Sequence, residues 1–260
     1  MDGSANLVEI FSSVQGEGPE LGTRTLFVRF GACDLRCRWC DSVHTWRPAA
    51  QARVEEAAGS GRFATWENPV ALDAVATALE KLEPSAHRWL SLTGGEPLLQ
   101  PEAVGALARS VRERGPGILL ETHGLHAAAL ETLVDAVDLV SMDWKLASDV
   151  RRATDRGRGE PEPFHAAHAA FLEVARRAGA RVVIKIVVTH RSRDTEIDEA
   201  VGHVARVHPQ ATLILQPVTP RGGGTQAPEA RRLLALARRA EARLADVRVI
   251  PQTHPLLGVP

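Results

Sequence analysis

The chain has 260 residues, enough for one α/β barrel or two small domains that bury most of their apolar surface without disulfides. Its 31 Lys and Arg residues are balanced by 32 Asp and Glu residues, so the formal charge of -1 excludes a general electrostatic attraction to nucleic acid or to an anionic membrane. We therefore expect a small molecule as the partner, and neither a nucleic acid nor a membrane.

The sequence carries no recognisable targeting segment. Residues 1–6 lack a basic region followed by an apolar one, and the most apolar run, residues 182–188, is interrupted by Lys185 and too short to span a bilayer. We expect a cytoplasmic protein, in a compartment where thiols stay reduced.

Apolar runs that indicate buried strands alternate with helical patterns along the chain. The predicted strands cover residues 26–30, 89–93, 118–122, 139–143, 182–189 and 213–218, with a further strand at 247–250. Apolar residues recur at helical spacing in two segments, Val75, Ala78, Leu79 and Leu82 in the first and Leu233, Leu236, Ala237, Ala240 and Leu244 in the second. This order predicts parallel strands with right-handed crossovers, in a partial β/α barrel or a doubly wound sheet.

Two segments interrupt this alternation. Residues 47–68 are rich in Ala and Gly, and residues 149–163 are dense in Arg, Asp, Gly and Pro. Such compositions are typical of surface segments, so we interpret both as insertions into a single domain that spans residues 1–260.

All three cysteines of the chain, Cys33, Cys37 and Cys40, lie within eight residues at the spacing C-x3-C-x2-C. An odd number of thiols on such short loops does not make a disulfide framework. Three thiolates can hold three corners of a [4Fe-4S] cluster and leave the fourth iron open to an exchangeable ligand. The spacing therefore favours an iron-sulfur centre with one free coordination position.

Two other interpretations of the cysteines remain open. A structural zinc site would need a fourth ligand, and His44 lies four residues after Cys40. Zinc ribbons usually bring their ligands as two separated pairs, however, and the sequence has no second pair. The remaining interpretation is three buried cysteines without a metal, although four charged residues between positions 34 and 41 interrupt the segment.

Polar residues lie where the predicted strands end, the edge at which the loops of a parallel α/β fold meet a ligand. The paired glycines at 94 and 95 would let a ligand approach backbone amides that a Cβ atom obstructs. Any one polar segment could be a satisfied strand end, but several in succession predict a binding site. The segments are Thr93-Gly94-Gly95-Glu96-Pro97, Glu121-Thr122-His123-Gly124, Ser141-Met142-Asp143-Trp144-Lys145, residues 185–189 and Gln216-Pro217-Val218-Thr219.

The C-terminal tail, residues 251–260, is apolar and punctuated by proline, unlike the polar tail of most domains. It is either a strap that packs on the core or a functional segment, and the residues alone leave both open.

The cysteine spacing, with Trp39 just before the last cysteine, resembles the signature of the radical S-adenosylmethionine (SAM) enzymes. Further segments resemble the 7-carboxy-7-deazaguanine synthases: Phe11-Ser12-Ser13-Val14-Gln15-Gly16-Glu17-Gly18, Phe27-Val28-Arg29-Phe30, Cys40-Asp41-Ser42 and the tail Gln252-x-His254. The likeness spans almost the whole chain outside the two insertions. It implies a modified partial (β/α)6-type radical SAM barrel with parallel strands, assembled as a homodimer.

The resemblance also implies the chemistry. Members of the family convert 6-carboxy-5,6,7,8-tetrahydropterin to 7-carboxy-7-deazaguanine with loss of ammonia, a carbon-nitrogen lyase reaction in queuosine and 7-deazapurine biosynthesis. By this likeness Cys33, Cys37 and Cys40 bind the [4Fe-4S] cluster, and SAM binds its open iron. An electron from a donor such as flavodoxin or ferredoxin cleaves SAM to a 5′-deoxyadenosyl radical. That radical takes hydrogen from C6 of the pterin and later recovers it, so SAM is regenerated.

The same resemblance implies a set of binding residues. Those for the pterin are Val14, Gln15, Gly16, Arg29, Thr93, His254 and the terminal carboxylate of Pro260, and those for SAM are Trp39, Asp41, Gly95, Glu96, Ser141, Lys145, Gln216, Pro217, Val218 and Thr219. Ser42, the hydroxyl residue after Cys-Asp, would hold Mg²⁺, a hard cation that prefers oxygen ligands. Arg29 suits a bidentate pair with the substrate carboxylate.

The chain departs from the family pattern at two places. The family often has Asn or Gln at the position of His123, and Ser-Pro-Lys where this chain has the longer segment from Ser141 to Lys145.

Two alternative functions also stay open. A glycyl-radical-enzyme activase shares the cysteine spacing and Gly-Gly-Glu-Pro but acts on a protein, so it needs no pterin-binding tail. A non-catalytic zinc-binding protein would use the same cysteines with His44.

Overall fold

A computed structural model describes residues 3–155, 162–220 and 225–259. The strands are β1 (Ser4–Ala5), β2 (Leu7–Val14), β3 (Arg24–Phe30), β4 (Leu35–Cys37), β5 (Gln51–Glu55), β6 (Phe63–Glu67), β7 (Val70–Ala71), β8 (Trp89–Gly94), β9 (Gly117–Thr122), β10 (Leu139–Asp143), β11 (Val150–Arg152), β12 (Arg181–Val188), β13 (Thr212–Pro217) and β14 (Val247–Val249). The α-helices are α1 (Leu72–Lys81), α2 (Pro101–Arg112), α3 (Ala127–Glu131), α4 (His165–Arg177), α5 (Asp194–Val207), α6 (Ala230–Glu241) and α7 (His254–Leu257). Short 3-10 helices cover Val43–Trp46, Pro84–Ala86, Pro97–Leu99 and Val134–Ala136.

Across these residues, ten strands form one sheet in the order β14-β13-β12-β10-β9-β8-β3-β2-β5-β6. The seven strands from β3 to β14 in this order are parallel neighbours, and each of the six crossovers between them contains one of the helices α1 to α6. The partial β/α barrel predicted from the sequence is confirmed, and the predicted parallel strands lie within two residues of their expected bounds. In the described ranges, none of the helices is long and apolar enough to cross a bilayer.

The sheet continues past β3 through strands that the sequence pattern did not predict. Strand β2 pairs antiparallel with β3 and parallel with β5, and β5 pairs antiparallel with β6. Strands β5 and β6 lie in segment 47–68, interpreted above as a surface insertion, yet Ala52 and Val54 are buried in the main core. The second predicted insertion, 149–163, contains β11, while residues 156–161 lie outside the described part of the chain. The division into one domain with two insertions stays a prediction.

The parallel strands present different residues on their two faces. One face packs against the helices, and its residues join the main apolar core: Leu90, Leu92, Leu120, Val140, Ile184, Ile186, Leu213 and Leu215. On the other face, the first inward residues form a small apolar layer: Trp89, Leu119, Leu139, Val183 and Ile214. Two positions further along each strand, the residue on this face is polar or charged: Ser91, Glu121, Ser141, Lys185 and Gln216. On the face turned away from the helices, the side chains thus change from apolar to polar over two residues of each strand. The polar cavity begins at the level of these polar residues.

A layer of aromatic rings lies behind the end of β10. Trp144 is buried and stacks on His168 of α4, with 4.8 Å between ring centroids. The Nε2 atom of His168 lies 3.0 Å from the backbone oxygen of His123, to which the neutral ring can donate. Burial lowers the pKa of His168 well below 6.5, and it also lowers the pKa values of His165 and His203 beside Trp144. Burial therefore disfavours protonation of these three rings.

Leu92→Ala should destabilise the protein by about 2–5 kcal/mol, because it removes a fully buried side chain from β8 and leaves a cavity. Leu234→Ala is the matched control, since Leu234 is 66% exposed on α6 and its truncation should change stability by less than about 0.5 kcal/mol. Denaturant unfolding of both variants measures the difference. Equally small losses would contradict the placement of β8 in the core.

Acid should destabilise the fold through His168. The unfolded chain takes up a proton near pH 6.5 that the buried ring resists, so stability is complete above this pH and is lost as the pH falls below it. His168→Gln keeps a donor for the His123 carbonyl but does not titrate, so its free energy of unfolding should fall less than that of the wild type between pH 7.5 and pH 5. His190→Gln, at an exposed position, serves as the control. Chemical denaturation at both pH values measures these free energies of unfolding. If the free energy falls equally in the wild type and in His168→Gln, His168 is not the group that resists protonation.

Candidate active site

A cavity of about 540 Å³ opens where the parallel strands end, a size that suits small-molecule ligands. Most of the site residues predicted from the sequence line it. For the pterin these are Val14, Gln15, Gly16, Arg29, Thr93 and His254; for SAM they are Trp39, Asp41, Gly95, Ser141, Lys145 and Gln216; for the metals they are Cys33, Cys37, Cys40 and Ser42. The fold therefore gathers segments from both ends and the middle of the chain around one space.

Five predicted residues are not found in the cavity wall. Pro217, Val218 and Thr219 do not line the cavity, and Pro260 lies outside the described residues. Glu96 is fully buried, and its carboxylate accepts hydrogen bonds from Thr122 Oγ1 at 2.7 Å, the His123 amide at 2.8 Å and the Leu98 amide at 3.0 Å. In this arrangement Glu96 ties the loop after β8 to the end of β9.

The paired glycines at the end of β8 are needed for close backbone packing. Gly94 has a φ of +133°, and a Cβ atom there would collide with the backbone oxygen of Phe30. A Cβ atom on Gly95 would collide with the backbone oxygen of Ala32. Both glycines thus let this segment pack directly on the backbone that leads into the cysteines, and both also line the cavity. Their contact with a ligand stays a prediction.

The loop that carries the cysteines is held by a segment far along the chain. Strand β4 pairs antiparallel with β11, which places Cys37 opposite Val150. Leu35 and Val150 pack with Phe164 in a small apolar cluster, and Cys33 and Cys37 lie against it. The thiols are thereby fixed along one wall of the cavity.

The three thiols are free and partly buried. Burial raises the pKa of Cys33 to about 11 and that of Cys37 to about 12, so their thiolate forms need a bound cation at neutral pH. Among the residues that the structure describes, no three ligand atoms drawn from the cysteines and His44 lie within 4.8 Å of one another. A tetrahedral zinc ion with Zn–S bonds of about 2.3 Å would hold its sulfurs about 4 Å apart. The cysteines and His44 therefore do not bring three ligand atoms close enough together for a single tetrahedral zinc ion.

Asp34, directly after Cys33, joins the cysteine loop to the end of β9. Its Oδ1 lies 2.8 Å from Nε2 of His123, and its Oδ2 lies 3.4 Å from Nε2 of His126. Burial raises the pKa of Asp34, but hydrogen bonds from the two histidines outweigh it, and the pKa lies far below its usual range. Asp34 in turn raises the pKa of His126. The position at which the family often has an amide thus holds an imidazole that contacts a carboxylate here.

Two lysines project into the cavity, and carboxylates neutralise both. Lys145 donates to Asp143 at 2.7 Å, and its Nζ lies 4.4 Å from the centre of the Trp39 ring. Lys185 donates to Glu17 and lies 3.4 Å from Asp143. Burial lowers the lysine pKa values, but the carboxylates outweigh it and hold both above 10.5. For the Glu17 carboxyl group the signs are reversed: burial raises its pKa, but the charge and hydrogen bond of Lys185 outweigh burial and hold the pKa below 4.5. These groups are fixed charges at neutral pH.

The longer segment after Ser141 keeps its two predicted SAM contacts on the cavity side. Ser141, Asp143 and Lys145 line the cavity, whereas Met142 and Trp144 are buried on the opposite side. Alternation along an extended backbone produces this arrangement. The departure from Ser-Pro-Lys therefore adds Asp143 to the cavity and leaves Ser141 and Lys145 facing it.

The C-terminal tail closes the cavity against the N-terminal loop. The Thr253 amide donates to the backbone oxygen of Gly16 at 2.9 Å, and the Gln252 side chain donates to Glu17. A Cβ atom on Gly16 would lie only 2.6 Å from Cβ of His254. Residues 252–254 are thus held against the N-terminal loop, while Leu256 and Leu257 are exposed, and Gln252, His254 and Val259 line the cavity.

Several cavity residues were not predicted as site residues: Glu9, Glu17, Glu121, His123, Asp143, Lys185 and Gln252. Glu121 accepts hydrogen bonds from Gln15 at 2.9 Å and from Ser91 at 2.6 Å, and so orients the Gln15 amide. Glu9 accepts from Nε of Arg29 at 2.7 Å, which uses one of the five N–H groups of the guanidinium. Most of the missed residues lie in segments that the sequence had singled out, but only the fold shows their partners.

Comparison with known proteins gives the chain its relatives. The family model of the 4Fe-4S single cluster domain matches residues 14–163. The 7-carboxy-7-deazaguanine synthase of Geobacter sulfurreducens is 40% identical over 257 residues, covering 98% of this chain and 97% of that protein. The synthase of the same name from Thermococcus kodakarensis is 31% identical over 227 residues, covering 82% of this chain and 84% of that protein.

Solved structures share the fold at lower identity. QueE from Escherichia coli has a TM-score of 0.61 at 20% identity, covering 96% of this chain and 95% of that one. A radical SAM methyltransferase from Sphaerobacter thermophilus has a TM-score of 0.58 at 16% identity, covering 90% of this chain and 67% of that one. The sequence relatives assign the family, because the Geobacter protein matches nearly end to end at 40% identity. The chain belongs to the 7-carboxy-7-deazaguanine synthase family.

Proposed function

We propose that this chain is a radical SAM enzyme of 7-deazapurine biosynthesis that converts 6-carboxy-5,6,7,8-tetrahydropterin to 7-carboxy-7-deazaguanine with loss of ammonia. The observation that carries the proposal is a single cavity lined both by the three cysteines and by Gln15, Arg29 and Thr93. Membership of the synthase family supports the same reaction. The relatives are named as synthases, which favours this reaction over the activation of a glycyl-radical enzyme.

The residues present suit the two cofactors. Cys33, Cys37 and Cys40 would hold a [4Fe-4S] cluster, and SAM would lie beside it against Trp39, Asp41, Gly95, Ser141, Lys145 and Gln216. Contacts of SAM with Glu96 and with residues 217–219 remain part of the proposal. When bound, the cluster and SAM supply a 5′-deoxyadenosyl radical that takes hydrogen from C6 of the pterin.

The residues of the chain bind and orient the substrate. Arg29 has N–H groups left that would pair with the pterin carboxylate. Gln15 donates a hydrogen bond to Glu121, which would hold its amide in place to read an edge of the pterin. Lys145 and Lys185 keep their protons at neutral pH, so they hold anionic groups in place rather than transfer protons. His254 would contact the substrate from the tail, together with the terminal carboxylate of Pro260.

Ser42 and Asp41 offer oxygen ligands for Mg²⁺ at the cavity. The Ser42 hydroxyl donates to Asp41 at 2.9 Å, so two oxygen atoms lie together at the cavity wall. A hard divalent cation takes such ligands and commonly completes its shell with substrate oxygens and water. Mg²⁺ would therefore link Ser42 to the substrate.

The proposal includes a partner, an assembly and a location. A one-electron carrier such as flavodoxin or ferredoxin would reduce the cluster, since the reaction needs an electron from outside the chain. The resemblance to the family supports a homodimer. Three free thiols that must ligate iron suit the reducing cytoplasm.

An anaerobic reaction with dithionite, SAM, Mg²⁺ and carboxytetrahydropterin tests the function. We expect a brown protein that contains iron and sulfide and forms the deazaguanine. If only 5′-deoxyadenosine forms, the radical SAM assignment stands and the substrate assignment is wrong. A colourless protein that contains zinc would reject the cluster and with it the reaction.

Arg29→Ala should raise the KM for the pterin about 10- to 100-fold, because a charge-assisted hydrogen-bonded pair is worth about 1.5–3 kcal/mol. Arg29→Lys keeps the charge but loses the planar fork and should fall between the wild type and Arg29→Ala. Arg24→Ala, at the other end of the same strand, is the control. Steady-state kinetics and iron content are measured together. Loss of iron in Arg29→Ala would show a structural role instead.

Gly16→Ala should displace the tail, since the new Cβ atom would collide with His254. We expect faster proteolytic cleavage near the C-terminus and a higher KM for the pterin. Gly202→Ala is the matched control, because its Cβ atom on α5 would meet only the ends of two flexible side chains, Arg243 at 3.2 Å and Arg206 at 3.5 Å. Cleavage rates and kinetics that match the wild type would contradict the packing of the tail on Gly16.

A further inference from the structure

Three side chains with metal-binding atoms meet beside the cysteine loop. They are Asp34, which follows the first cysteine, and two histidines, His123 directly after β9 and His126 directly before α3. One ligand atom from each of the three lies within 4.8 Å of the other two. In the part of the chain that the structure describes, this is the only such group among the His, Cys, Asp and Glu side chains. We call it the Asp-His-His cluster.

The Asp-His-His cluster lies at the edge of the cavity and faces solvent on its other side. His123 lines the cavity, whereas Asp34 and His126 do not. The side chains of Asp34 and His126 are 31% and 29% exposed, and that of His123 is 4% exposed. A dissolved ion therefore reaches the cluster from solvent, without passing through the space proposed for SAM and the pterin.

The spacing of the ligand atoms matches the spacing around a small divalent ion. Oδ1 of Asp34 lies 2.8 Å from Nε2 of His123, and Oδ2 lies 3.4 Å from Nε2 of His126. Zinc binds such atoms at about 2.0–2.2 Å, so neighbouring ligand atoms at octahedral or tetrahedral angles lie about 2.8–3.6 Å apart. An ion between the carboxylate and the two rings therefore requires little movement of the chain.

Hydrogen bonds alone leave the Asp-His-His cluster incompletely satisfied. Nε2 of His123 carries at most one hydrogen, yet it lies 2.8 Å from Asp34 and 3.3 Å from Glu96. Nε2 of His126 is buried without a well-aligned hydrogen-bond partner. A cation bound by Asp34 and by both ring nitrogens would satisfy all three side chains.

The charges around the cluster also favour a cation. Glu96 acts on His126 together with Asp34, and Arg152 is the positive charge that opposes them there. Glu96 already accepts hydrogen bonds from Thr122 and from two backbone amides, so it adds negative charge rather than a fourth ligand. With two neutral imidazoles and the Asp34 carboxylate as ligands, a divalent ion keeps one positive charge, which the buried Glu96 carboxylate balances.

We propose that Asp34, His123 and His126 bind a divalent transition-metal ion at a site separate from the cysteines. Two imidazoles and one carboxylate suit Zn²⁺ or Fe²⁺, whereas Mg²⁺ prefers oxygen ligands. Water would complete the coordination shell on the solvent side. The bound ion would tie the cysteine loop to the end of β9 and to the start of α3. The ligands include none of the residues proposed to bind the iron-sulfur cluster, SAM or the pterin, so the site goes beyond the proposed function.

Zinc alone, added to the anaerobically reconstituted protein, tests the proposal. We expect one Zn²⁺ per chain in addition to the metal on the cysteines. Its X-ray absorption spectrum should show nitrogen and oxygen neighbours at about 2.0–2.2 Å and no sulfur at about 2.3 Å. An excess of Mg²⁺ should not displace it.

Two variants and a matched control locate the ion. His126→Ala removes one of three protein ligands and should weaken the affinity for Zn²⁺ about 100-fold or more. Asp34→Asn keeps the size of the side chain but removes its charge, and it should weaken the affinity as well. His190→Ala, at an exposed histidine, should bind Zn²⁺ like the wild type. Iron content, measured on the same preparations, should be the same in His126→Ala and His190→Ala.

Each other outcome overturns the site. A wild-type protein that takes up no zinc beyond the metal on its cysteines would reject it, and so would a spectrum with sulfur neighbours alone. Equal zinc affinity in His126→Ala and His190→Ala would show that the ion lies elsewhere. Should His126→Ala not fold, the wild-type spectrum and the affinity of Asp34→Asn decide. If the proposed function fails and no iron-sulfur cluster forms, zinc on the cysteines adds sulfur neighbours, and His126→Ala should still bind one zinc ion fewer than the control.

Discussion

Two buried ammonium groups, on Lys145 and Lys185, set the charge pattern of the cavity. An unmatched buried charge is strongly unfavourable, so carboxylates must lie beside both. Asp143 is supplied by the same strand end as Lys145, but Glu17 comes from the loop after β2 and is itself held by Gln252 of the tail. The neutralisation of Lys185 therefore involves a residue from the N-terminal part of the chain, Glu17, and one from the C-terminal tail, Gln252. Both segments line the cavity, so ionic contacts as well as packing hold them there.

The cysteine wall is built by a different means. Its loop packs Leu35 into a small apolar cluster and otherwise takes its shape from close backbone packing. Gly94 and Gly95 let the end of β8 touch the backbone of residues 30–32, and Glu96 gathers the donors at the end of β9. The fixed charge of Lys145 lies directly against this loop, over the ring of Trp39.

The sequence predicted the parallel strands well because strands buried on both faces are continuous apolar runs. It did not predict β2, where polar residues interrupt the run, or β5, whose Ala-rich segment resembled a surface loop although Ala52 and Val54 are buried. The resemblance to a family brought most cavity residues together in advance. It did not reveal the pair of Glu17 with Lys185, because residues so distant along the chain become partners only through the fold.

The pairing of β4 with β11 has a consequence for biosynthesis. During translation the three cysteines leave the ribosome long before Val150, which completes the strand pair behind Cys37. Until then the thiols lie on a loop without its partner strand, open to oxidation and to the wrong metal ions. Iron and sulfide would therefore be best delivered after residues 150–152 have emerged and paired with β4, and the thiols need a reducing environment until then.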